Sequence, residues 1–166
     1  MVIALERRLE GRPQEVAKTM KRVSAQERVE REMLKLLVRD ADMYGELVGK
    51  LQKDHFRNTA LRVAFEALRD AEGDVSALVA GADEKLASMI SALAVEDLDG
   101  DPSAAYAQSV WNRLQEFLLK GRSDALRARL QKMNPTIDRE YDGLFSELVG
   151  IDGELRRLRS GEAAVR

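Results

Sequence analysis

Few side chains in this sequence are placed to do chemistry. His55 is the only histidine and there is no cysteine, so disulfides, thiolate metal sites and a cysteine nucleophile are excluded. A lone imidazole with no second ligand reads as a polar connector residue rather than as a base or a metal ligand. The run Glu96-Asp97-Leu98-Asp99-Gly100-Asp101 could offer carboxylates to a divalent cation. It lacks the twelve-residue loop and the closing glutamate of a calcium site, and so reads as a solvated loop. No phosphate-loop run and no glycine fingerprint behind a strand is present. The last candidate is basic. Residues 112–132 carry six basic and two acidic side chains, against six and thirteen over 41–111. Such a run could meet phosphates. No constellation supports catalysis, and neither a metal nor a cofactor is expected.

The elements that would position these residues are helices. Hydrophobic residues make up 45% and charged residues 34%, with three prolines and no dense β-branched runs. That balance describes a helix-rich globular chain. No apolar run approaches the ~20 residues of a membrane span, and the amino terminus is charged too early for a signal peptide. The absence of cysteine fits a cytoplasmic setting. A net charge of −2 gives no general attraction to nucleic acid.

Residues 1–10 read as a short helix stopped by Gly11-Arg12-Pro13, and residues 14–23 as a linker. Ser24 and Glu27 form a capping-box pattern. The helix behind it places Val29, Met33, Leu36 and Leu37 on one face and ends near Asp40. A second helix spans about Asp42 to Leu51. Asn58 caps a helix with Leu61, Ala64, Phe65 and Leu68 inside, closed by Gly73. Asp74 and Asp83 look like two further caps, the second opening a helix that buries Leu86, Met89, Ile90 and Leu93. Asp101-Pro102 is expected to start a long helix, with the proline at its first position. That helix runs to about Met133. Asn134-Pro135 then breaks it and starts a last helix that continues to about Ser160.

The last two helices form a charge-paired hairpin. Ile137, Tyr141, Leu144, Leu148, Ile151, Leu155 and Leu158 repeat in alternating steps of four and three, a coiled-coil seam. Leu119, Ser123, Leu126, Leu130 and Met133 supply the facing seam. Lys120, Arg122, Arg127 and Arg129 flank one helix, and Asp138, Glu140, Glu147, Asp152 and Glu154 flank the other. A short turn makes the pair antiparallel, so the basic run becomes half of an ion-pair zipper. Each exposed pair is worth only about 0.2–1 kcal/mol, so the zipper sets register more than stability. Upstream of Gly121 the stripe changes phase to Tyr106, Val110, Leu114, Phe117 and Leu118, and Trp111 and Phe117 read as core. The long helix thus serves two packing units and could bend at Gly121. Phe145 interrupts the acidic flank and reads as a docking anchor.

The expected fold is all-α: an N-terminal helical bundle, then a long helix leading into a C-terminal antiparallel helical hairpin. The expected units are a linker over 1–23, a bundle over 24–118, a hairpin over 119–160 and a tail over 161–166.

Three stretches carry a resemblance. Residues 27–38, Glu-Arg-Val-Glu-Arg-Glu-Met-Leu-Lys-Leu-Leu-Val, are followed by Asp54-His-Phe-Arg-Asn and Ala64-Phe-Glu-Ala-Leu-Arg. The pattern resembles the C-terminal domain of bacterial replicative DNA primases (DnaG-type). It is also similar to the N-terminal domain of the replicative helicase (DnaB-type). Tyr141-Asp-Gly-Leu-Phe-Ser-Glu-Leu-Val and Arg156-Arg-Leu-Arg look like the terminal hairpin of the primase domain. This resemblance implies a protein-interaction domain, not an enzyme in itself. It would bind the N-terminal collar of the hexameric helicase and couple primer synthesis to unwinding. The linker would then lead from a primase catalytic core. Docking would fall on Tyr141, Leu144, Phe145, Glu147, Leu148 and Asp152, on a chain that is a monomer when alone. Two other readings stay open: an oligomerisation domain on the helicase side, and a helical nucleic-acid-binding domain using residues 113–132.

Overall fold

A computed structural model describes residues 23–161, and all of the secondary structure there is helical. The helix expected over 1–10, the linker up to residue 22 and the tail from 162 lie outside the described residues. The helices are α1 (Ala25–Arg39), α2 (Ala41–Leu47), α3 (Thr59–Asp70), α4 (Val75–Gly81), α5 (Glu84–Val95), α6 (Ala104–Gln131) and α7 (Tyr141–Ser160), with a single 3-10 turn at Lys53–His55.

The foreseen N-caps form as side-chain hydrogen bonds. Asn58 accepts from Leu61 N, Asp74 from Ala77 N and Asp83 from Leu86 N. Ser24 accepts from Glu27 N at 3.1 Å. The capping box is one-sided, however, because the Glu27 carboxylate accepts from Asn58 Nδ2 and so ties α1 to the start of α3. Asp40 accepts from two amides of α2. That helix stops at Leu47, short of the expected Leu51, where the chain tightens into a Lys50 N to Leu47 O bond beside Gly49. Gly73 closes α3 at φ +81°, with its amide donating to Leu68 O. A Cβ there would sit 2.8 Å from the Tyr44 ring, so both backbone and space demand glycine.

Helix α1 runs through the centre of the bundle and packs on α2, α3, α5 and α6. Val29, Met33, Leu34, Leu36 and Leu37 are buried on it, and so are Glu30, Glu32 and Lys35. A helix surrounded on several sides must bury residues from its polar face, and these three are satisfied by hydrogen bonds. Glu30, fully buried, accepts from Arg57 N at 2.7 Å and Asn58 N at 3.1 Å. Glu32 accepts from Asp99 N at 2.7 Å and from the Tyr106 hydroxyl at 2.6 Å. Lys35 donates to Glu32 and to Asp97 O. Arg31 forms a two-point ion pair with Glu96. The acidic loop is therefore lashed to α1 rather than simply solvated. Burial, and next the bond to Glu32, push the Tyr106 phenol above its usual range. Among the described residues, no group of three or more acidic or histidine side chains is arranged to hold a metal ion.

His55 departs from its expected place. It is 3% exposed. Nδ1 accepts from Gln52 N at 2.9 Å, Nε2 faces Gln115 Oε1 at 2.7 Å, and the ring tilts against Trp111 at 5.0 Å. It is a core connector between the 3-10 turn and α6. Next to it, Phe56 stacks on Phe65 at 4.7 Å.

Helix α6 starts two residues later than Pro102, because the Ser103 hydroxyl caps it by accepting from Tyr106 N. It then runs unbroken through Gly121. Its first half completes the bundle with Ala107, Val110 and Leu114, against which Tyr106, Trp111 and Phe117 pack.

Two outcomes follow. Glu30→Ala strands two amides at the start of α3 and should cost about 2–3 kcal/mol in urea unfolding. The Arg31 guanidinium holds Glu96 below its usual carboxyl value of 4.5. A folded pKa that is depressed gives stability that is present above the unfolded value and lost as pH falls through the folded one. The urea midpoint should therefore drop below about pH 4.5, and should drop less in Arg31→Met, when measured from pH 6 to pH 3.

Candidate protein-docking hairpin

Helix α7 lies against the second half of α6 over a separate apolar cluster. Leu119, Ile151 and Leu155 form it, with Leu126 and Leu158 packed around them. Leu130 and Leu148 are also buried. Most of the seam read from the sequence is therefore in place, with Ser123 as its polar member. The Ser123 hydroxyl donates to Asp152 Oδ1 at 2.8 Å, and Arg127 joins Asp152 Oδ2 at 2.6 Å. Arg129 pairs with Glu140, and Arg159 with Glu116, the latter tying the end of α7 back to α6. The zipper is sparser than the charge pattern suggests. Among the described residues no ion pair joins Lys120, Arg122, Glu147 or Glu154.

The turn also differs from expectation. Helix α7 begins at Tyr141, not at Asn134-Pro135. Asn134 Oδ1 accepts from Thr136 N, Asp138 Oδ2 accepts from Asn134 N, and Asn134 O takes the amides of Ile137 and Asp138. These short polar side chains satisfy the local backbone outside a helix, and that competes with helix formation. Ile137 consequently leaves the seam and is 75% exposed.

The six residues expected to dock do not share one face. Leu148 is buried in the seam, Leu144 is half-buried, and Asp152 is held by Ser123 and Arg127. Glu147 is exposed. Tyr141 is half-buried, and its ring lies nearly parallel to that of Phe145, at 6.4 Å and 8°. Phe145 is 50% exposed. Val149, 56% exposed, was not foreseen. It follows Tyr141 and Phe145 in steps of four, so a second helical row beside the seam was there to be read. The outward side of α7 thus carries a row of Tyr141, Phe145 and Val149, with acidic Asp142 and Glu147 nearby. Such a row does the chemistry of protein contact: apolar area to bury, with charges to orient it.

The family model described as DNA primase DnaG DnaB-binding matches residues 30–144. This chain belongs to that family. The matched region is a protein-binding part of primase, not its catalytic part. The fold is similar to that of the helicase binding domain of primase from Mycobacterium tuberculosis, with a TM-score of 0.60 and 24% identity over 80% of this chain and 90% of that one. No curated protein matches the chain. The primase family match takes in the bundle, the first hairpin helix and the start of α7 as far as Leu144. No helix among the described residues is long and apolar enough to cross a membrane.

Removing seam volume should loosen the hairpin before the bundle. Ile151→Ala is expected to cost about 2–3 kcal/mol. Hydrogen exchange should show amides of 144–160 losing protection while those of α1 and α3 keep theirs.

Proposed function

We propose that this chain is the helicase-docking part of a replicative primase, and that its hairpin engages the N-terminal collar of a hexameric DnaB-type helicase. The observation that carries the reading is the Tyr141–Phe145–Val149 row, with Phe145 and Val149 exposed and Tyr141 half-buried beside them, on a hairpin whose seam is already satisfied, in a chain of the DnaB-binding family. An aromatic pair presented on a rigid helix is the kind of anchor that dominates an interface. Tethering primase at the collar raises its concentration where the duplex opens, and so couples primer synthesis to unwinding.

The reading divides the labour between two units. Residues 24–118 form a regulatory bundle and 119–160 a docking hairpin, with 1–23 leading from a catalytic core and 161–166 as a tail. The separate apolar cluster of the hairpin supports that division. Of the expected docking residues, Tyr141, Phe145 and Glu147 would touch the partner. Leu144, Leu148 and Asp152 would act by holding α7 in place. The chain works in the cytoplasm, at the replication fork, and is a monomer at micromolar concentration when alone.

The test is a titration of the chain with the N-terminal domain of the replicative helicase from the same source. Phe145→Ala should weaken binding at least about tenfold, and Tyr141→Ala by a smaller factor. Binding that is unchanged in both variants would refute the assignment of this face.

A further inference from the structure

The outward face of α7 has a symmetry that helicase docking does not require. Asp142, Phe145, Val149, Gly153 and Arg156 follow one another in steps of three and four, so they lie along one side of the helix. Counted from Val149, Asp142 and Arg156 are each seven residues away, and Phe145 and Gly153 each four. The row reads the same in both directions, except that the charge at one end is opposite to the charge at the other and the ring at one end faces bare backbone at the other.

We propose that a second copy of this chain covers this face, with the two α7 helices antiparallel about a two-fold axis through Val149. The axis sets Val149 against Val149 of the second copy. It brings each Asp142 to the other chain's Arg156, and lays each Phe145 ring over the other chain's Gly153. A two-fold contact must be self-complementary, and this face meets that condition in charge and in volume. The groups it uses are available. Asp142 and Arg156 are exposed, and neither has an ion pair among the described residues. A Cβ at Gly153 would find no atom within 4 Å. Phe145 and Val149 are the large apolar residues of α7 that stand in solvent. Over the whole helix the first half carries Asp142 and Glu147, and the second half carries Asp152 and Glu154 against Arg156, Arg157 and Arg159, so the charge still changes sign along α7.

One pair of helices buries less than the ~1,200 Å² typical of stable complexes. The dimer is therefore weak, with a dissociation constant on the order of 100 µM, and the chain stays monomeric at micromolar concentration. Pairing hides the Phe145 row, so a paired hairpin cannot offer that row to a helicase. The pairing does not depend on the helicase reading and is measured without the helicase.

Sedimentation equilibrium of the full chain from 5 µM to 1 mM tests it, with circular dichroism confirming that each variant is folded. The wild type should shift from monomer to dimer across that range. Asp142→Arg and Arg156→Asp should each weaken association about tenfold, by placing like charges together. The double variant Asp142→Arg/Arg156→Asp exchanges the charges and should return to within about threefold of wild type. A chain monomeric at 1 mM overturns the proposal, as does association indifferent to Asp142→Arg, or a double variant no better than the single ones. If the wild type stays monomeric while Asp142→Arg loses binding to the helicase domain, the face belongs to the helicase alone.

Discussion

The bundle depends on two carboxylates that a helix would ordinarily turn to solvent. Glu30 and Glu32 lie on α1, each buried; Glu30 accepts two backbone amides from a distant loop and Glu32 accepts one from another. One fixes the entry to α3 and the other fixes the approach to α6. A buried charge is tolerated only where its acceptor sites are filled, and here amides, a phenol and Lys35 fill them. Apolar contacts between helices are forgiving about rotation and sliding, whereas a carboxylate gripping two amides is not. The central helix thereby sets where its neighbours begin as well as how they pack.

The hairpin obeys a different logic. Its seam is short, its second helix contains three glycines, and its ion pairs are mostly exposed. Ser123 buried in the seam lets Asp152 and Arg127 close over it, a polar clasp that sets the register of α7 on α6. Such an element holds its shape without a large reserve of stability. That suits a part whose outer face is to be covered by another protein. Of the large apolar residues left in solvent, Ile137, Phe145 and Val149 sit on α7 and in the connector before it, while Val23, Val63 and Val95 stand singly on the bundle.

The basic run of 112–132 changes meaning between sequence and structure. Arg127 and Arg129 pair at the surface with acidic partners on or beside α7, and Glu116 takes Arg159 from the end of the hairpin. Two of the six basic side chains that suggested phosphate thus help to hold the hairpin together. What remains distinctive is an aromatic pair on α7 and a face with alternating charge, which are features of protein recognition.

Much of the fold was legible in the residues. Period-3.6 stripes located α1, α3, α5 and the hairpin seam, and the short polar residues Ser24, Asn58, Asp74 and Asp83 marked helix starts, because both signals act within a few residues along the chain. Helix starts with two local candidates were misplaced: Ser103 outcompeted Asp101-Pro102, and the Asn134–Asp138 bonds delayed α7 to Tyr141. The candidate site was half legible. Tyr141 and Phe145 stood out by type, and Val149 continues their row in steps of four, but only packing showed that α6 leaves this side of α7 uncovered. The sequence by itself determined the helices, the seam and the charge pattern, since these follow from propensity and spacing. Only the tertiary structure decided that Glu30, Glu32 and His55 are interior groups and that Asp152 is internal wiring. Their surroundings come from segments about 25 to 75 residues away, and no local rule carries that distance.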